Sequence, residues 1–170
     1  WLYAIQGSLM IARKKGASWA LTGGDTEHNL ILEHLAYWNS IPANIGFYFD
    51  GPKVPDEKRG KRVHTRPHGL IHVFKELING FNFRVVEAPG EAEAELAYLN
   101  RTNVLQHIVT PDVDAFLFGA TSVIRSPRDS KNRDSVEVYT RQSLDKQDPD
   151  RLSRAGILFI AVVSGGDYSP

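Results

Sequence analysis

Short apolar runs that stop on a carboxylate recur along this chain, and they constrain its fold more than any other feature. Ile45-Gly46-Phe47-Tyr48-Phe49 ends on Asp50, His107-Ile108-Val109-Thr110 leads to Asp112 and Asp114, and the apolar segment 151–163 leads through Gly165-Gly166 to Asp167. Runs as short as the first two are too brief for helices and suit strands, the first buried on both faces. Residues 83–87, 122–125 and 136–140 are further strand candidates, the last two separated by a polar, charged loop at 126–134. Helical patterns fill the intervals. Trp1, Leu2, Ile5, Leu9, Met10 and Ile11 recur at helical spacing over 1–12, and Leu30, Ile31, Leu35 and Trp38 form a stripe over 26–39. For that second helix Asp25 is the expected N-cap, Glu27 lies in the first turn and Pro42 just beyond the end. Leu70, Ile71, Phe74, Leu77 and Ile78 mark another helix, an alanine-rich one runs from about Glu91 to Leu99, and 151–163 is apolar enough for a buried helix. Strands alternating with helices predict an α/β fold, a three-layer α/β/α sandwich with a mainly parallel sheet, in which ligands gather at the carboxyl ends of the strands. The carboxylates fall at those ends.

A chain of 170 residues with 42% hydrophobic composition supports one compact domain. No apolar run approaches the roughly 20 residues that cross a bilayer, and Trp1 to Ile5 lack the basic flank of a secretory signal. A soluble, intracellular protein with no membrane partner is therefore expected. The chain opens on Trp1 and its only methionine is Met10, inside an apolar stretch, so it reads as an excerpt of a longer protein. The absence of cysteine excludes disulfides and thiolate metal sites, leaving carboxylates, histidines and water to hold any metal. The net charge is zero, which by itself argues against a nucleic-acid binder, but the charges are segregated. Lys53, Lys58, Arg59, Lys61, Arg62 and Arg66 crowd one stretch, whereas the acids recur at the ends of apolar segments.

Hydrolysing a phosphodiester demands neutralised charge on the phosphate, an activated water and a stabilised leaving oxygen, which two divalent ions about 4 Å apart can supply. Mg²⁺ takes hard oxygen ligands and retains waters, so scattered Asp and Glu serve it better than a closed cage. Asp50, Glu91, Glu93, Asp112, Asp114 and Asp167 are the candidates, and the Asp112-x-Asp114 spacing lets two carboxylates share one side of an extended segment. Plainer readings stand beside these. Asp50 before Gly51-Pro52 also suits a turn, Glu91, Glu93 and Glu95 suit a helix start for dipole reasons, and Asp167 also suits a cap. His68 and His72, four apart, read as surface residues beside the basic stretch, and the loop with Arg125, Arg128, Lys131 and Arg133 as a solvated one.

Phe47-Tyr48-Phe49-Asp50-Gly51-Pro52, Glu87-Ala88-Pro89-Gly90-Glu91-Ala92-Glu93-Ala94, Thr110-Pro111-Asp112-Val113-Asp114-Ala115-Phe116-Leu117-Phe118-Gly119 and Ser164-Gly165-Gly166-Asp167-Tyr168 follow one another in order over nearly the whole chain. Together they resemble the motifs of the flap endonuclease and xeroderma pigmentosum group G superfamily, which includes Holliday-junction resolvases. The resemblance implies a PIN-like nuclease core hydrolysing phosphodiesters in 5′-flap or four-way-junction DNA with two Mg²⁺ ions, for which Mn²⁺ can substitute, in the nucleus. It implies Glu91, Glu93, Asp112, Asp114, Asp167 and, more indirectly through water, Asp50 as metal ligands. Lys58 and Arg62 are similar to the basic pair that steers the scissile phosphate, with Lys61 and Arg59 as alternatives, and Tyr3 is similar to an aromatic residue that stacks on a substrate base. The family's first strand, with one more Asp, is expected before Trp1, and its helix-two-turn-helix DNA grip beyond Pro170. Its long helical arch between Asp50 and Glu91 is reduced here to a basic stretch and one helix, which implies a more open gateway. Two rival readings are a non-catalytic member serving as a nucleic-acid-binding or scaffold module, and a ribonuclease of the related PIN type. Against the first stands the cost of gathering repelling carboxylates with no cation.

Overall fold

The computed structural model describes residues 2–21, 25–54, 57–58, 61–62, 69–112, 114–125, 135–143 and 154–164, with the backbone alone at 2–6, 57–58 and 61–62. The chain divides into two compact units, 1–47 with 65–86, and 48–64 with 87–170. Strands β1 (Gly46–Phe49) and β4 (Arg84–Glu87) are hydrogen-bonded neighbours, and the division falls within both.

The first unit holds α1 (Leu2–Lys14), a 3-10 turn at Ser18–Ala20, α2 (Thr26–Asn39) and α3 (Ile71–Gly80). Ile31 and Leu35 of α2 and Ile78 of α3 are fully buried, as their helical spacing predicts. The Phe47 ring gathers the aromatic part of this core, 5.2 Å from Trp38, 5.6 Å from Phe74 and 5.4 Å from Phe83. α2 spans its predicted residues, but Asp25 makes no side-chain cap bond. Its backbone is already helical, at φ −88° and ψ −4°, whereas a capping side chain reaches back from an extended residue. The β1 side chains are half-buried rather than buried on both faces, β4 being its one ladder neighbour among the described residues.

The second unit holds β2 (Glu57–Lys58), β3 (Lys61–Arg62), α4 (Ala92–Arg101), β5 (Ile108–Val109), α5 (Asp114–Leu117), β6 (Ser122–Arg125), β7 (Glu137–Thr140) and α6 (Arg154–Val163). β5 and β6 are parallel, with Ile108 opposite Val123, because α5 carries the chain back between them. β7 lies antiparallel on the other side of β6, from Ser122 opposite Thr140 to Arg125 opposite Glu137. The core of this unit is Ala97 of α4, Ile108 of β5, Ala115 of α5, Ala120 in the turn that follows, and Val123 of β6, flanked by Leu96, Phe116 and Phe118. The small residues Ala97 and Ala115 let α4 and α5 approach closely. Two features depart from the sequence reading. The basic stretch carries a small antiparallel hairpin, with Glu57 opposite Arg62 and Lys58 opposite Lys61. And α6, expected to be buried, has no buried side chain, Phe159 being 69% exposed. Among the described elements its principal packing partner is α5, whose 4 residues cannot cover a helix of 10. No described helix is long and apolar enough to cross a membrane.

Candidate metal centre

The carboxylates of the second unit are placed by the backbone around two crossing segments. Ala88 N–H donates to Phe49 O at 2.9 Å, Gly51 N–H to Gly90 O at 2.8 Å and Lys53 N–H to Pro89 O at 3.2 Å, so the residues after β1 lie hydrogen-bonded against the turn that opens α4. A Cβ on Gly51 would stand 1.7 Å from Ala88 O, so only glycine permits this crossing. Asp50, at the end of β1, then accepts the Ala92 N–H on its Oδ1 at 2.8 Å. Ala92 is the first residue of α4, and Glu91 before it makes no side-chain cap bond. Asp50 thus supplies from a distant segment the acceptor that the helix's own N-cap lacks, on the positive end of the dipole.

Glu93 projects from the first turn of α4 and is half-buried. Its Oε1 accepts the Thr110 hydroxyl at 2.8 Å; Thr110 Oγ1 accepts the Asp112 N–H at 3.1 Å; and Asp112 Oδ1 accepts the Asp114 N–H at 3.0 Å, opening α5. Burial pushes the Glu93 carboxyl above its usual range; the Thr110 hydrogen bond works the other way, and the charges of Asp112, Asp114 and Glu91 add to the rise. Glu91, Asp112 and Asp114 therefore stand within electrostatic reach of Glu93, and Asp50 is tied to the same helix end.

Asn100 fixes the frame on which they sit. It is 1% exposed, and its Nδ2 donates to Leu105 O at 2.9 Å and Gln106 O at 3.0 Å. Its Oδ1 accepts Thr121 N–H at 2.7 Å, Thr121 Oγ1 at 3.0 Å and Ser122 N–H at 3.1 Å, which locks α4 to the entry of β5 and the start of β6. Sequence reasoning missed Thr110, Asn100 and the cap role of Asp50. Thr110, two residues before Asp112 at a strand end, offered a local signal, but Asn100 offered none.

Of the other expected site residues, Asp167 and the alternative Arg59 lie outside the described residues, as do His68 and the loop 126–134. Tyr3 falls in α1, Lys58 in β2, and Lys61 and Arg62 in β3, where the structure describes their backbone. Among the described residues no group of three or more His, Asp or Glu side chains is arranged to hold an ion by itself. The donor set nonetheless fits Mg²⁺ chemically. The gathered groups are all hard oxygens, and Mg²⁺ commonly takes only one or two carboxylates while keeping waters.

The wild-type Holliday junction-resolving enzyme GEN1, solved with product DNA, Mg²⁺ and Mn²⁺ ions, superposes with a TM-score of 0.67 at 28% identity over 84% of this chain and 33% of its own. The catalytic core of Rad2 in complex with DNA substrate gives 0.70 at 29% identity, over 86% of this chain and 48% of its own. The architecture is accordingly that of PIN-like nuclease cores, α/β with a parallel pair of strands. The XPG I-region model matches residues 82–167, and the chain belongs to that family. In sequence it is 36% identical to the Flap endonuclease GEN homolog 1 of Mus musculus in an alignment 154 positions long that covers 80% of this chain and 17% of that protein. The chain thus spans less than half the length of these three relatives.

Proposed function

We propose that the protein this chain belongs to is a Mg²⁺-dependent, structure-specific endonuclease that hydrolyses phosphodiesters in branched DNA, a 5′ flap or a four-way junction, and that works in the nucleus. The observation that carries the reading is the hydrogen-bonded chain from Glu93 through Thr110 to Asp112 and Asp114, next to the parallel strand pair, with Asp50 tied to the helix end that bears Glu93. Carboxylates gathered so closely repel one another, and divalent cations relieve that repulsion. The names of the relatives, flap endonucleases and a junction-resolving enzyme, point the same way.

Glu91, Glu93, Asp112, Asp114 and Asp167 would hold two ions, Mg²⁺ or Mn²⁺, with Asp50 acting through water because one of its oxygens is committed to the Ala92 N–H. When bound, such ions neutralise the phosphate, lower the pKa of an attacking water and stabilise the leaving oxygen. Lys58 and Arg62, with Lys61 beside them on the β2–β3 hairpin, would bring the scissile phosphate to that site. Tyr3 would stack on a substrate base, a contact worth about 1 to 3 kcal/mol. The chain is then one piece of a single nuclease core. Cleavage of flap, splayed-arm and four-way-junction DNA by the full-length protein with Mg²⁺, beside a Glu91→Ala, Glu93→Ala variant, tests the reading. The variant is expected to lose at least about a hundredfold in rate, and equal rates would leave a non-catalytic binding module instead.

A further inference from the structure

Thr110 stands between two of the proposed metal ligands and belongs to neither set of charges. Its side chain is 6% exposed, donates to Glu93 Oε1 at 2.8 Å and accepts the Asp112 N–H at 3.1 Å. Pro111 has no N–H, so the Asp112 amide is the first donor beyond Thr110 that can turn back onto the hydroxyl. A hydroxyl carries a single proton, and with the Asp112 amide directed at its oxygen that proton is committed to Glu93. The link continues from Asp112 Oδ1 to the Asp114 N–H. One uncharged side chain therefore joins a carboxylate on helix α4 to the backbone of the loop that bears the other two.

Like charges packed together tend to turn away from each other, and a half-buried Glu93 has rotamers that would take its carboxylate away from Asp112 and Asp114. We propose that Thr110 is a positioning residue of the metal centre: by holding Oε1 of Glu93 it leaves Oε2 for an ion and sets the carboxylates of Glu93, Asp112 and Asp114 in register before any cation arrives. This inference rests on the reading of the acidic cluster as a divalent-metal site. Hydrogen-bond partners of metal-ligating groups typically change affinity by about tenfold to a hundredfold when removed, because they fix the orientation of the ligating oxygen.

The test uses the full-length protein and Mn²⁺ alone, with free ion followed by electron paramagnetic resonance and with melting recorded in metal-free buffer. Thr110→Val keeps the shape and removes the hydroxyl; it is expected to weaken Mn²⁺ binding about tenfold or more while Thr110→Ser keeps it within about threefold. Both variants are expected to melt, without metal, within about 4 °C of the parent. Binding by Thr110→Val equal to the parent's, with Glu91→Ala, Glu93→Ala clearly weakened, overturns the role of Thr110 and leaves the metal site standing. Equal losses for valine and serine also overturn it, since a hydroxyl would then not be what matters. A parent protein that does not take up Mn²⁺ overturns both readings together.

Discussion

Burial and three neighbouring negative charges make protonation easier for Glu93 than for an ordinary glutamate as long as no cation is present. The sign of the consequence follows from linkage. A carboxyl whose folded pKa lies above its unfolded value favours the folded state below the unfolded pKa, about 4.3 for Glu, and that contribution is lost as pH rises through the folded pKa. Metal-free protein should therefore lose stability as pH climbs out of the usual glutamate range. Glu93→Gln, which keeps an oxygen for the Thr110 hydroxyl, should flatten that dependence and be the more stable protein at neutral pH. Urea unfolding of both proteins in a chelating buffer from acid to neutral pH reads it, and parallel curves would speak against the shift. Gly51 sets a limit of another kind. A methyl at that position would overlap the Ala88 carbonyl at 1.7 Å, so Gly51→Ala must push apart the segments that carry Asp50 and Glu91. A loss of roughly 1 to 3 kcal/mol in denaturant unfolding is expected, with metal affinity reduced beyond what that loss explains.

The elements were legible from the sequence to different degrees, for reasons that can be named. The stripe Leu30, Ile31, Leu35, Trp38 located α2, since a helix that packs one face on a core must repeat its apolar residues at that spacing. Ser122–Arg125 was legible as a strand because β-branched residues bounded by turn formers have few other uses. The β2–β3 hairpin was not, because Lys and Arg carry no apolar alternation to mark it. The burial of α6 was misjudged because apolar composition reports what a helix can bury, not which neighbour is there to cover it. Within the site, the acids were legible as motifs, but their relative placement hangs on Asn100, whose five partners come from four residues beyond the helix that bears it. No local rule connects an asparagine near a helix end to a strand start some twenty residues later. Asn100→Leu, with similar bulk and no polar atoms, should strand the Thr121 and Ser122 amides at a cost of about 2 kcal/mol or more. Chemical denaturation measures that cost; an unchanged midpoint would mean that water replaces the asparagine without penalty.

At the scale of the whole molecule, the proposed nuclease function raises the question of what DNA would reach the acids. Between Asp50 and Glu91 the described elements are a two-residue-per-strand hairpin, helix α3 and strand β4, with no long helical arch among the described residues. An open gateway admits a branch point from the side, whereas a closed arch requires a free 5′ end to pass through. Cleavage of a flap whose 5′ end carries a bulky block should therefore stay within about threefold of the unblocked flap, well inside the roughly tenfold that 1.4 kcal/mol of barrier gives. Strong inhibition by the block would show that threading is required after all.

The crossing at Gly51 and Gly90 has one more consequence. Lys53 N–H and Pro89 O lie 3.2 Å apart, and the backbone between them departs and comes home at nearly the same point. A chain fastened at its neck in this way can take up extra length in a flexible stretch ahead of α3 while Asp50 and Glu91 stay fastened, and each doubling of such a stretch costs only about 0.6 kcal/mol of closure entropy. On the proposed nuclease reading, entrances of different sizes can be hung from one unchanged clasp while the acids beside it stay put.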